Sequence, residues 1–331
     1  MKAILFADRG GTELLPLTDK ISVALLPVAA KPLIDYTLDA LLESRVHEVI
    51  VVISAFSEEI ERHLGDGKRW GLQFEYVRSN GQEEPASVLA RLGSRLTDSE
   101  YLLIRGDVLH SLNINDFLVQ AQAVKSGQVV VTIDGSHAGV CLIRKQSSPN
   151  PWQASELLRF PLEIPPSIGL VNGGIGPHRF ENIDDVHAVA MTGNGSWLDS
   201  LETYHQANLH VLAGQFPNLV VFARSVNDQL QVGCHSIVSE NNAGLVGACC
   251  RVDNKAALLG EVVLCDEVIV DRYAQLSRTV VLPGTYIGEA VELQNAIVWG
   301  RTLIQVDTGT VTQVEGNLLL DLKTECHIPF L

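Results

Sequence analysis

Over residues 1 to about 135 the chain alternates two hydrophobic patterns. Short, nearly continuous apolar runs (MKAILFA, HEVIVVIS, LQFEYV, EYLLIRGDVL, QVVVTID) have the length and β-branched content of strands. Between them lie amphipathic stretches with apolar residues three and four apart (IDYTLDALLES, SEEIERHLGDG, EPASVLARLGSRL, NINDFLVQAQAVKSG), the spacing of one helix face. This alternation predicts βαβ units, and hence a doubly wound α/β domain built on a mainly parallel sheet. Sheets of this kind bind ligands beyond the carboxyl ends of their strands, which places the loops after AILFA and LLIRGD where a site is expected.

Beyond 145 the pattern changes twice. Residues 145 to 195 are rich in Pro, Gly, Ser and Asn, which predicts an irregular excursion over the sheet edge. SWLDSLETYHQANLHVLAG then reads as a helix with Leu201, Tyr204 and Leu209 turned inward, closing a first domain of residues 1–214. In the remainder, Val246, Val252, Leu258, Leu264, Val270, Leu276 and Leu282 stand six apart, and after a one-residue change of phase Ile287 and Leu293 keep the step. That period predicts a hexapeptide β-helix over residues 215–331, each turn stacking its aliphatic residue on the previous one. Val-rich antiparallel structure is the competing reading.

Composition narrows the function. The 331 residues carry a formal charge of −15 and no basic run, which disfavours nucleic acid and anionic membrane as partners. An anionic substrate would need cations placed locally. The N-terminal apolar run is too short for a signal-peptide core and no run has the length of a membrane span, so a cytoplasmic protein is expected. Six cysteines without a CxxC pair read as free thiols, and Cys249 and Cys250, adjacent on a strand, should face opposite ways. His47, His63 and His205 lack metal-ligand spacing and are expected at the surface.

FADRGGTELLPLT, residues 6–18, closes the first strand with a glycine-bearing loop of the kind that cradles phosphate. Together with ALLPVAAKPLIDYTLDAL, HLGDGKRWGL, LLIRGD, LVNGGI and SWLDSLETYHQAN, in that order, it resembles the sugar-1-phosphate nucleotidylyltransferases. The resemblance implies a Rossmann-like nucleotidyltransferase domain followed by a left-handed β-helix, a nucleotide sugar or sugar phosphate as ligand, and Mg²⁺ as cofactor. It assigns Arg9, Gly10, Gly11 and Thr12 to the nucleotide, Glu163, Asn172 and Gly173 to the sugar, and Asp107 and Asp199 to the metal.

The departures concern charge. Asp8 and Arg9 stand where the resemblance places glycines, and Glu13, Val23 and Ile164 align with an arginine and two lysines. Nucleotidyl transfer depends on neutralising the phosphates, and losing one charged donor from such a site costs on the order of 3 kcal/mol. Two readings follow. One is a catalytically impaired relative that acts as a nucleotide-sugar-binding, regulatory or structural partner, as a homo-oligomer or with a competent nucleotidyltransferase. The other is an active transferase in which Arg9 and Lys20 replace the lost cations. Acyl transfer, a third use of hexapeptide β-helices, is disfavoured because no histidine lies between His235 and His327.

Overall fold

The computed structural model describes residues 1–145 except 45, 55 and 82, then 152, 155, 158–159, 186–314 and 318–321. These residues pack into two compact units: Met1–Leu26 with Leu33–Trp197 and Phe216–Asn218, and Pro27–Pro32 with Leu198–Gln215 and the residues from Leu219 onward.

The first unit is a seven-stranded sheet with helices on both faces. Its strands are β1 (Lys2–Ala7), β2 (Glu48–Ile53), β3 (Gln73–Arg78), β4 (Glu100–Arg105), β5 (Gln128–Ile133), β6 (Ser136–Arg144) and β7 (Val186–Ala190), in the spatial order β7-β5-β6-β4-β1-β2-β3. The helices α1 (Leu33–Glu43), α2 (Ser57–Leu64), α3 (Pro85–Leu92) and α4 (Ile114–Gln122) fall where the amphipathic stretches predict them. Alternate residues of β1 feed two separate cores. Ala3, Leu5 and Ala7 pack with Leu38, Ile60 and Phe117, whereas Ile4 and Phe6 pack with Val88, Leu89 and Leu92.

The sheet is less uniformly parallel than its pattern suggests. β1 pairs in parallel with β2 and β4, and β2 with β3, but β6 runs antiparallel to both β4 and β5. The hairpin between β5 and β6 turns through Asp134 and Gly135, both left-handed at φ 49° and 77°. An Asp-Gly pair between apolar runs favours this two-residue turn, so its signal stands in the sequence.

In the second unit α5 (Leu201–Leu212) starts at a capping box: the Ser200 hydroxyl accepts from the Thr203 amide, and the Thr203 hydroxyl accepts from the Ser200 amide. Tyr204 is fully buried and donates to the Pro27 carbonyl at 2.6 Å, and the Ala29 amide donates to Asn208 Oδ1 at 2.8 Å. His205 is buried as well, its Nε2 lying 2.7 Å from the Arg278 carbonyl, so the surface expected for it is corrected. His205 stands among the buried positions of α5, with Tyr204, Asn208 and Leu209.

The aliphatic residues predicted from the six-residue step are all buried, and short strands stack them in parallel ladders: Val246 beside Leu264, Val252 beside Val270, Leu258 beside Leu276. The change of phase comes one repeat earlier than the sequence step suggests, between Leu276 and Val281 rather than after Leu282. Val281, not Leu282, sits opposite Leu264, and the ladder goes on from Val281 to Val298 and from Val270 to Ile287. Arg278, left-handed at φ 46°, lies in the shortened segment. After Trp299 the pairing turns antiparallel, Glu292–Trp299 with Thr302–Gln305 and that strand with Thr310–Gln313, which the six-residue step does not predict. Cys249 is exposed and Cys250 buried, but the pair lies in the turn between the strands Gly244–Val246 and Arg251–Val252, with Cys249 left-handed at φ 57°, so the strand expected for them is corrected. Among the described residues no helix is long and apolar enough to cross a membrane.

Candidate functional site

The first unit brings the ends of β1 and β4 side by side: Phe6 lies opposite Arg105, and the Gly106 amide donates to the Phe6 carbonyl at 2.8 Å. The residues just past these ends therefore converge. Asp8, Arg9, Arg105 and Asp107 are all buried there, with Asp107 fully inaccessible and Arg105 2% exposed. Four ionisable groups taken out of water persist only when they neutralise one another through hydrogen bonds.

Arg105 is the centre of this arrangement. Its Nε donates to Asp107 Oδ1 at 2.6 Å and its Nη2 to Asp107 Oδ2 at 2.5 Å, a bidentate pair. Nη2 also donates to Asp8 Oδ1 at 3.0 Å and Nη1 to the Leu158 carbonyl at 2.7 Å. Burial works against the charge of Arg105, but Asp107 and Asp8 outweigh it and hold the guanidinium more firmly protonated than usual. Burial also pushes the Asp8 carboxyl above its ordinary range, against the pull of Arg105. Asp8 is further fixed by the Ser79 hydroxyl on its Oδ2 at 3.3 Å and by the Ser54 hydroxyl on its carbonyl at 2.6 Å.

Arg9 turns into the protein. Its Nε donates to Glu13 Oε1 at 2.7 Å, and its Nη1 to the carbonyls of Trp197 and Asp107 at 2.6 and 3.2 Å. Burial lowers its proton affinity below the ordinary guanidinium value, which its acidic neighbours partly restore. Glu13, at the position aligned with an arginine, thus serves as the carboxylate partner of the loop's own cation.

The glycines of the loop differ in role. Gly11 has φ 74°, and a Cβ there would lie 2.5 Å from Val23 Cγ2 and 2.7 Å from Thr18 Cγ2. The Thr18 hydroxyl donates to its carbonyl at 2.6 Å, and Gly11 precedes the short 3₁₀ turn Thr12–Leu14. At Gly10 a Cβ would meet nothing within 4 Å. Val23, aligned with a lysine, is core, with no exposed surface. Lys20 stands exposed after the 3₁₀ turn Leu17–Asp19.

Of the expected metal residues, Asp107 belongs to the first unit and Asp199 to the second, where it is exposed and accepts from the Thr203 hydroxyl at 3.0 Å. No cluster of three or more metal-ligating side chains occurs among the described residues. Glu163, Ile164, Asn172 and Gly173 lie outside the described residues.

Sequence reasoning did not single out Arg105. A lone arginine at the end of a run as apolar as EYLLIR must be buried with a carboxylate, and Asp8 and Asp107 close the two neighbouring strands, so a signal was present. It also passed over a small cavity of about 160 Å³ lined by Val108, Asp134, Ser136, His137, Asn194 and Trp197. The Trp197 indole donates to the His137 carbonyl at 2.8 Å and forms one wall.

Residues 2–138 match the family described as nucleotidyl transferase. The chain is 22% identical to a UTP–glucose-1-phosphate uridylyltransferase of Synechocystis, over 99% of this chain and 94% of that one. It is 24% identical to a glucose-1-phosphate thymidylyltransferase of Streptomyces antibioticus, over 99% and 95%. With an N-acetylmuramate alpha-1-phosphate uridylyltransferase of Neisseria meningitidis it shares 28% identity over 57% of this chain and 79% of that one. Residues 2–138 thus carry a nucleotidyl transferase match, and over nearly its whole length the chain is similar to sugar-1-phosphate nucleotidyltransferases.

Proposed function

We propose that this protein is a non-catalytic member of the nucleotidyl transferase family, a regulatory or structural partner in nucleotide-sugar metabolism that binds a nucleotide sugar or sugar phosphate without transferring a nucleotide. The observation that carries this reading is the inward turn of Arg9. Its guanidinium is committed to Glu13 and to the carbonyls of Asp107 and Trp197, so it does not point from the loop toward a triphosphate. Phosphoryl chemistry depends on cations preorganised around the transferred group, and charges already neutralised by buried carboxylates cannot supply that.

The ligand class rests on the relatives, whose names specify sugar 1-phosphates as substrates. Residues 1–214 would carry that ligand. Residues 215–331, as a left-handed β-helix, would pair subunits or dock a competent nucleotidyltransferase. The test is pyrophosphate release by the purified protein with UTP, dTTP, GTP or ATP, each with glucose 1-phosphate or another sugar 1-phosphate, alongside calorimetric titration with the matching NDP-sugars. Binding without release is the expected outcome. Release at a rate of order 10 s⁻¹, an ordinary enzymatic turnover, would overturn the reading.

A further inference from the structure

We propose that Arg105 is a built-in replacement for a divalent cation: its guanidinium occupies the electrostatic position between Asp107 and Asp8 that an ion would take, and this site is metal-independent. The inference deepens the non-catalytic reading and concerns the same site, but it is tested by cation binding rather than by turnover.

The argument is one of donors and space. Mg²⁺ and Mn²⁺ take hard oxygen ligands near 2.1 Å, and Mg²⁺ keeps several waters, so an ion site needs carboxylate lone pairs that face a hydrated volume. Both oxygens of Asp107 instead receive N–H groups of one guanidinium at 2.6 and 2.5 Å, and the side chain has essentially no exposed surface. Asp8 Oδ1 accepts from the same Nη2. An entering ion would have to displace Arg105 and leave a buried guanidinium with only the Leu158 carbonyl among these contacts, which burial without a paired carboxylate strongly disfavours. A second positive charge, Arg9, lies against the Asp107 carbonyl and repels an arriving cation. The geometry also explains why a strand-end arginine is tolerated in a sheet core: it performs the charge neutralisation that a bound ion performs elsewhere, without an ion to lose.

The experiment uses Mn²⁺ as the probe, followed by electron paramagnetic resonance on the full chain, wild type beside Asp107→Asn. The proposal expects either no binding or weak binding of equal affinity and stoichiometry in the two proteins, arising at surface carboxylates. Binding by the wild type that Asp107→Asn abolishes would overturn it. Because Asp107→Asn leaves Arg105 short of a partner and can fail to fold, a second measurement is made on the wild type alone. In the NMR spectrum of the side-chain Nε–H groups, Mn²⁺ should leave the Arg105 resonance as sharp as without it, and selective loss of that resonance would sink the proposal. In the converse direction, Arg105→Ser should raise Mn²⁺ affinity about tenfold or more if it folds, because it returns two buried carboxylates to a cation.

Discussion

Arg9 Nη1 donates to the main-chain carbonyl of Trp197 at 2.6 Å, joining the loop after the first strand to a residue 188 positions further along. The contact makes the loop part of the hydrogen-bonded interior of its unit. Replacing Arg9 with Met should leave Glu13 without its cation and two carbonyls without their donor, and destabilise the protein by about 3–5 kcal/mol. Lys should recover little, since one ammonium cannot span three separate acceptors. Urea unfolding of the three proteins checks this, and a loss within 0.5 kcal/mol for Arg9→Met would show that the contacts are incidental.

The loop's two glycines separate conformational need from steric freedom. Gly11→Ala imposes a left-handed φ on a side chain that also collides with Val23 and Thr18, and should cost about 2–4 kcal/mol. Gly10→Ala meets no atom within 4 Å and should stay near neutral, within about 0.5 kcal/mol. Comparable losses at the two positions would contradict this account of the loop.

Reversing the sign at position 13 tests whether one cation is what the site lacks. Glu13→Arg would place a second guanidinium beside Arg9 and remove the carboxylate that Arg9 now holds. Asp8 and Asp107 would stay bound to Arg105. No pyrophosphate release should appear, and stability should fall by about 1–3 kcal/mol. Nucleotide-dependent release in this variant would mean that Glu13 alone suppresses activity.

How far the sequence reveals the molecule depends on whether a feature is periodic or convergent. The strands through Gln128–Ile133, helices α1–α4 and the buried aliphatic step of the second unit follow from spacing alone, because each residue's environment is set by neighbours three, two or six positions away. The step from Leu276 to Val281 was misplaced because Val281 and Leu282 are both aliphatic and both buried, so hydrophobicity could not show which one joins the ladder. At the site, the chain shows that Asp8, Glu13 and Val23 depart from the family pattern, but not that Arg9 faces inward. That orientation depends on acceptors 98 and 188 residues away.

Thiol reactivity should divide by face. Cys234 and Cys249 are exposed, whereas Cys141, Cys250 and Cys265 are buried and burial raises their proton affinity, so they offer little thiolate. Brief alkylation of the native protein followed by peptide mapping should label the first two, and label the other three only after denaturation. Early modification of Cys250 would show that the stacked strands around it open on the labelling timescale.

His110 provides the pH dependence. It is 4% exposed, on the short strand Leu109–His110, and neither ring nitrogen has a hydrogen-bond partner. Burial pulls its pKa from 6.5 down to about 4, so the folded protein holds it neutral where the unfolded chain takes up a proton. Below pH about 6.5 the unfolded state therefore gains protons that the folded state does not. The stability associated with this residue is fully present above pH 6.5 and declines as the pH falls toward 4, by roughly 3 kcal/mol in all. Replacing His110 with Phe removes the titration and two unsatisfied polar atoms, so the variant should match or exceed the wild type at pH 7 and lose less stability on acidification. Denaturant midpoints from pH 7 to 4.5 measure the difference, and parallel pH profiles for the two proteins would show that another group carries the acid sensitivity.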